Sequence, residues 1–330
     1  MAVQNIDYNA KGQRTLIEYG NGVSTRYTYD PETFRLKHLY TRRGATFTED
    51  CGGEPPHPRF AAPVEPPANQ PCGLQNLHYS YDPAGNITAI RDDAQPTIFF
   101  RNQVVRACSE YTYDALYRLI SATGREHLGQ KPDGSRKAPS PMGPDDSLRI
   151  NHPHPGDGQA MGRYRQQYVY DEVGNILEMI HRGTDPDHPG WRRCYQYALD
   201  SNRLLSTGYQ SDPFVSCDPD RHYAAEAMYP QEYRYDRHGN MNQMPHLPLM
   251  RWDFKDQLQA SSKQERTDDG TPEITYYVYD AAGQRVRKVT ERQAPPDKVP
   301  SQWKERIYLG GFEVYRQYNG NGETVKLERE

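Results

Sequence analysis

No apolar run in this chain approaches the length of a membrane span, and a mean hydropathy of −1.01 is too polar for one thick core. The opening residues MAVQNIDYNAKGQRT hold no apolar stretch, so a signal peptide is not expected. Basic residues are nowhere gathered into a long block. The 40 Lys and Arg are interspersed among 44 Asp and Glu for a net charge of −4, which argues against nucleic acid or an anionic membrane as partner. Cysteine is sparse: Cys51, Cys72, Cys108, Cys194 and Cys217 are odd in number, widely spread and without a CxxC pair. A disulfide framework is therefore not expected. There is no Gly-x-Ser-x-Gly elbow, and Gly20-Asn21-Gly22 and Gly320-Asn321-Gly322 read as hairpin turns rather than phosphate loops.

What the chain does have is tyrosine, 26 residues against 8 Phe, in a sequence that is only 35% hydrophobic. Disordered segments are poor in aromatics. A tyrosine suits a half-buried sheet surface, where the ring packs and the hydroxyl reaches a polar neighbour. The 26 Gly and 27 Pro imply frequent turns and argue against long helices. These features together predict a thin β structure with much exposed area.

The tyrosines recur in one phrase. It is written YTYDPETFRLKHL (27–39), YSYDPAGNITAI (79–90), YTYDALYRLISA (111–122), YVYDEVGNILEM (168–179), YRYDRHGNMNQM (233–244) and YVYDAAGQRVRKV (277–289). A degenerate copy reads YQYALDSNRLLS (195–206), and MRWDFKDQLQA (250–260) puts Trp252-Asp253 in place of Tyr-Asp. Each phrase predicts strand, tight turn, strand. Tyr79 and Tyr81 share one face because side chains alternate with period two. Asp82 accepts turn hydrogen bonds, Pro83 pre-sets the next dihedral and Gly85 supplies positive φ, as in a type I turn with a Gly bulge. The same grammar fits Asp171 with Gly174, Asp236 with Gly239, Asp280 with Gly283, and a relaxed form over Asp7 to Gln13. Where Phe34 follows Asp30 and Tyr117 follows Asp114, the missing Gly implies a turn built differently. The structural repeat positions are thus Tyr27, Tyr29, Asp30, Tyr79, Tyr81, Asp82, Gly85, Tyr111, Tyr113, Asp114, Tyr168, Tyr170, Asp171, Gly174, Tyr233, Tyr235, Asp236, Gly239, Tyr277, Tyr279, Asp280 and Gly283.

Single hairpins are marginal in water, so neighbours must stack to share a core. The predicted architecture is all-β: consecutive antiparallel hairpins in one curved or spiral sheet region spanning 1–330. Loop insertions are expected near 44–76, 125–163, 181–192, 209–230, 261–273 and 292–302. A repeat sheet carries such loops more readily than a compact enzyme core does.

The phrases YGNGVSTRYTYDPETFRL (19–36), LHYSYDPAGNITAIRDDAQ (77–95), MPHLPLMRWDFKDQLQA (244–260) and YYVYDAAGQRVRKVTER (276–292), followed by KERIYLGGFEVYR (304–316), resemble the Rhs or YD-repeat family. They are most similar to repeat regions of the B and C components of bacterial insecticidal toxin complexes, over essentially the whole chain. The resemblance implies a β-ribbon wound into a hollow shell that encloses a cytotoxic C-terminal cargo, within a secreted or exported virulence factor. The partners it implies are further shell and core segments and the enclosed cargo. Family members continue into a region where aspartates act in self-cleavage, followed by a variable toxin. Residues 1–330 contain no such phrase, and neither activity is carried over.

Competing sites are weaker. His152, His154 and Asp157, and His181, Asp185, Asp187 and His188, have no established zinc spacing and read as loop residues; Cys51, His57 and Cys72 lack an apparent fourth ligand. TDDGT (267–271) lacks the spaced ligands of a calcium loop and reads as a surface turn. Repeated Tyr-Asp pairs read as strand-end structure rather than as many acid/base sites. No catalytic residue, metal or cofactor is assigned, and no enzymatic activity is expected. The rival functional reading is an extracellular module binding carbohydrate or protein through its aromatic rows, and a third is a non-functional remnant of a longer toxin gene. Shell tyrosines should pack between hairpins, whereas binding tyrosines should cluster in one exposed groove.

Overall fold

A computed structural model of the chain describes residues 2–44, 73–128, 159–184 and 190–330. These fall into two compact units, Met1–Arg192 and Arg193–Glu330. In the first, strands β1 (Val3–Tyr8), β2 (Arg14–Tyr19), β3 (Ser24–Tyr29), β4 (Leu36–Arg42), β5 (Gln75–Tyr81) and β6 (Ile87–Asp92) follow one another. After them come β7 (Ile98–Phe100), β8 (Gln103–Val105), β9 (Cys108–Tyr113), β10 (Leu119–His127), β11 (Met161–Tyr170) and β12 (Ile176–Gly183). Each strand pairs antiparallel with its chain neighbour, through short turns inside the hairpins and also across the longer stretches of sequence from β4 to β5 and from β10 to β11. The one detour is the β7–β8 hairpin, which pairs with itself between β6 and β9. It tucks Ile98 and Val105 inward and leaves Phe99 exposed, as period-two alternation dictates. This hairpin has no Tyr-Asp phrase and was not foreseen.

The second unit contains β13 (Trp191–Ala198), β14 (Leu204–Tyr209), β15 (Tyr223–Ala224), β16 (Gln231–Glu232), β17 (Arg234–Tyr235) and β18 (Met241–Gln243). It ends with β19 (Leu249–Trp252), β20 (Leu258–Ser262), β21 (Ile274–Tyr279), β22 (Arg285–Glu291), β23 (Gln302–Leu309), β24 (Phe312–Tyr318) and β25 (Val325–Arg329). Strands β19 to β25 form a seven-stranded antiparallel meander in chain order, and β17 with β18 is a separate hairpin. Short β15 runs parallel to β13, the exception to the antiparallel rule among the described residues. The all-β expectation of consecutive antiparallel hairpins is borne out.

The interior buries nearly as many polar residues as apolar ones, in keeping with the low hydropathy of the chain. Gln196, Ser206 and Thr207 are fully buried. The Ser206 hydroxyl donates to Gln196 Oε1 at 2.9 Å, which also accepts from the Met228 amide at 2.9 Å, and Gln196 Nε2 donates to the Arg221 carbonyl. Buried polar groups satisfied in this way carry little desolvation penalty. Beside them, Cys194, Cys217 and Tyr229 make a small apolar cluster with Val215 packed against it.

That cluster corrects one expectation. Cys194 and Cys217 are joined in a disulfide, with Cα atoms 5.2 Å apart across a sequence separation of 23. Spacing alone could not disclose it, because the strand and the loop that meet there are distant in sequence. Residues 209–230, expected as a loop insertion, are mostly turn and bend, and they fold back over β13 and β14 through a three-residue 3₁₀ turn at Pro219–Arg221 and through the two-residue β15. Cys108 is free, and Cys51 and Cys72 lie outside the described residues.

Candidate functional site: a ladder of turns

The repeated phrase folds as its chemistry dictates. At the hairpin closed by Asp82, the Asp82 amide donates to the Asn86 carbonyl at 3.0 Å and the Gly85 amide to the Asp82 carbonyl at 3.1 Å. One Asp82 carboxylate oxygen accepts from the Gly85 and Asn86 amides at 2.7 and 2.8 Å, while the other accepts from the Asn86 side chain at 2.8 Å. The Asn86 side-chain bond, reinforced by the backbone amides, holds the Asp82 carboxyl below its ordinary range. Gly85 sits at φ +110°, and the register slips between Ser80 and Tyr81, the signature of a bulge. Asp171, Asp236 and Asp280 repeat the two backbone bonds with Gly174, Gly239 and Gly283 at positive φ.

Variant turns show how far the grammar stretches. At Asp114 the expectation of a different turn fails: Tyr117 occupies the Gly position at φ +62°, with both backbone bonds intact. At Asp30 the turn does differ. It is one residue longer, closing from the Asp30 amide to the Arg35 carbonyl, with Phe34 at φ +59°. The first turn of the chain is organised by Asn9, whose side-chain oxygen accepts from the Lys11 and Gln13 amides; Asp7 belongs to strand β1. Asp253 accepts from the Lys255 and Gln257 amides, so the Trp-Asp phrase is a genuine copy.

The second tyrosine of each phrase has a role that the sequence reading missed. Tyr29 donates its hydroxyl to the Arg14 carbonyl at 2.9 Å, Tyr81 to Leu36 at 2.7 Å and Tyr113 to Ile87 at 2.8 Å. Tyr170 donates to Leu119 at 2.8 Å, Tyr235 to Leu204 at 3.1 Å and Tyr279 to Leu258 at 2.9 Å. Every acceptor opens the returning strand of the preceding hairpin. Trp252 does the same through its indole N–H, to the Met241 carbonyl at 2.8 Å. The tyrosine thus staples one repeat to the one before it by satisfying a main-chain carbonyl there. The signal was present as an invariant offset from the Asp, but the acceptor is a backbone atom and leaves no trace in residue identity.

A second link runs beside the first. Arg35, just past its turn, donates to the carbonyls of Asp82 and Pro83 at 2.9 and 3.2 Å, and Arg118 donates to the Asp171 carbonyl at 2.8 Å. The same guanidinium groups lie over the stapling rings, Arg35 5.7 Å from Tyr81 and Arg118 4.9 Å from Tyr170, as does Arg203 at 5.7 Å from Tyr235. Tyr27, Tyr79, Tyr111, Tyr168, Tyr233 and Tyr277 are half-buried, and burial pushes the Tyr27 and Tyr79 hydroxyls above their ordinary pKa. Tyr277 shares a hydrogen bond of 2.9 Å with Ser261.

The alternative sites gain nothing. Among the described residues no group of three His, Cys, Asp or Glu could hold a metal ion. His181 is stacked between Tyr164 and Trp191 and bonded to Glu126 at 2.9 Å. Asp185, Asp187, His188, His152, His154, Asp157 and His57 lie outside the described residues. In the TDDGT stretch, Asp268 accepts from the Arg266 side chain and the Gly270 amide, which is a surface turn. No helix among the described residues is long and apolar enough to cross a membrane.

The chain is 29% identical over 322 residues to the toxin subunit YenC1 of Yersinia entomophaga, covering 97% of itself and 27% of that protein. To YenC2 of the same organism it is 29% identical over 329 residues, covering 99% of itself and 28% of the relative. The resemblance to the YD repeats of toxin-complex subunits is borne out. Among solved structures, the crystal structure of TcdB2-TccC3 matches with a TM-score of 0.63 at 26% identity, covering 99% of this chain and 13% of that one. The form of TcdB2-TccC3 without its hypervariable C-terminal region gives 0.61 at 28% identity, with the same coverage. No family model matches the chain. These YD repeats therefore span little more than a quarter of the length of the curated relatives they match.

Proposed function

We propose that this YD-repeat sheet is a wall segment of a shell that encapsulates a toxic cargo, as one stretch of a toxin-complex component. Its partners in that reading are the remaining shell and core segments and the cargo, and it is exported with the toxin. It has no catalytic role. The observation that carries the reading is the staple: six second-position tyrosines and Trp252 turn their polar tips into the neighbouring hairpin rather than into a shared groove. The repeat aspartates are likewise engaged by turn amides, as a wall requires. The similarity to toxin subunits over nearly all of the chain supports the same assignment.

The test is the mass of the native product in its source, detected with an antibody to this chain, together with protease protection. The wall reading expects a species far above 38.0 kDa that shields a protease-sensitive segment until the sheet is unfolded. A product at 38.0 kDa with nothing protected would refute it. A selective glycan-array signal would instead favour the binding module, for which Phe99, Tyr117, Phe214 and Phe254 are among the exposed rings.

A further inference from the structure

The last strands of the chain segregate charge between the two faces of their sheet. Residues directly paired across adjacent strands share a face. The register from β21 to β25 places Tyr277, Lys288, Arg306, Tyr315 and Arg329 in one unbroken row. Two residues along, the same face continues with Thr275, Thr290, Lys304, Gln317 and Leu327. Arg285 joins this face, its guanidinium 5.8 Å from the Tyr277 ring and 4.8 Å from Tyr308. Arg306 lies 5.7 Å from the Tyr315 ring, so cations and aromatic rings alternate.

The opposite face is built differently. There the row Val289, Glu305, Arg316 and Glu328 alternates in sign, with Arg287 donating to Glu305 at 2.6 Å and Arg316 to Glu328 at 2.5 Å. On the cationic face Glu313 pairs with Arg306. Lys288, by contrast, is half-buried with Arg285, Arg306, Lys263 and Lys304 around it. Burial first, and then their repulsion, lowers its pKa. Such crowding of like charge destabilises the face alone and is relieved by an anion laid across it.

We infer that this face docks an extended, acidic polypeptide segment. An extended peptide repeats its side chains on one side about every 6.7 Å, the spacing of Lys304 and Arg306 along β23, so alternate Asp or Glu residues match the cations. The tyrosine rings between them cover the aliphatic parts of the same segment. A nucleic acid fits less well, because its binding draws on a surplus of positive charge across a whole domain. Here the chain as a whole is net −4. The proposal is independent of whether the wall closes into a shell.

The experiment is fluorescence anisotropy of the full chain with a labelled oligo-Glu of about twenty residues at low salt, where exposed charges act over a long range. Saturable binding is expected, weakened about tenfold or more by Lys288→Glu with Arg306→Glu and by high salt. Lys288→Arg with Lys304→Arg should retain it. If the reversed pair fails to fold by circular dichroism, Lys288→Gln with Lys304→Gln carries the same expectation. Absence of binding, or binding indifferent to these variants, overturns the proposal. So does tighter, variant-sensitive binding of single-stranded oligothymidylate of equal charge, which would make the face a nucleic-acid surface.

Discussion

Replacing Tyr81 by Phe removes one oxygen and leaves the ring in place, so it isolates the staple from the packing. The lost hydrogen bond runs 2.7 Å to the Leu36 carbonyl in a partly buried setting. An intramolecular hydrogen bond contributes about 0.5–1.5 kcal/mol net, and the orphaned carbonyl, still within reach of water, keeps the cost near 1 kcal/mol. For a unit of this size that corresponds to a Tm drop of roughly 2–4 °C. Tyr79→Phe is the internal control. Its ring is also half-buried and two residues away, yet among the described residues its hydroxyl has no hydrogen-bond partner, so the loss should stay within about 0.5 kcal/mol. Thermal melts of the two variants followed by sheet circular dichroism make the comparison. Equal losses, or a larger loss for Tyr79→Phe, would refute the staple as the tie between repeats.

Gly85→Val should cost about 1–3 kcal/mol, because φ +110° is strained for any side chain; an unchanged urea midpoint would count against the turn geometry. Cys194→Ser with Cys217→Ser, or reductant on the parent chain, should destabilise the second unit by about 3 kcal/mol through the loop the bridge closes. Identical melts with and without reductant would contradict that. Turn hydrogen bonds hold Asp30, Asp82 and Asp114 below the ordinary aspartate value of 3.8, so their contribution is complete above that pH and is lost as pH falls through the depressed values. Burial raises the pKa of Tyr29, Tyr81 and Tyr170 above 10.0, so stability is complete below that pH and is lost as pH rises towards the raised values. A stability profile flat to pH 3, or flat past pH 11, would contradict the corresponding half.

Much of this molecule was legible one repeat at a time. Turn chemistry acts within five residues, so Asp82, Gly85 and Asn86 announce their hairpin wherever they stand, and alternation around them orients the strands. Tyr117 was misjudged because the backbone accepts a tyrosine at positive φ when both neighbouring turn bonds are kept. The β7–β8 hairpin escaped notice for the opposite reason: it uses Arg101 and Asn102 at positive φ and none of the repeat vocabulary.

The local alphabet of strand, aspartate turn and bulge, and with it the all-β class, was determined by the sequence alone. Those choices depend on dihedral preferences and short-range hydrogen bonds that each segment carries with it. Tertiary structure alone decided which carbonyl each tyrosine reaches, that Cys194 meets Cys217, and that Lys288, Arg306 and Arg329 fall in line on one face. Each of these depends on inter-strand register across segments distant in sequence. Register is a property of the assembled sheet, and a slip of one residue would send the whole set of side chains to the other side.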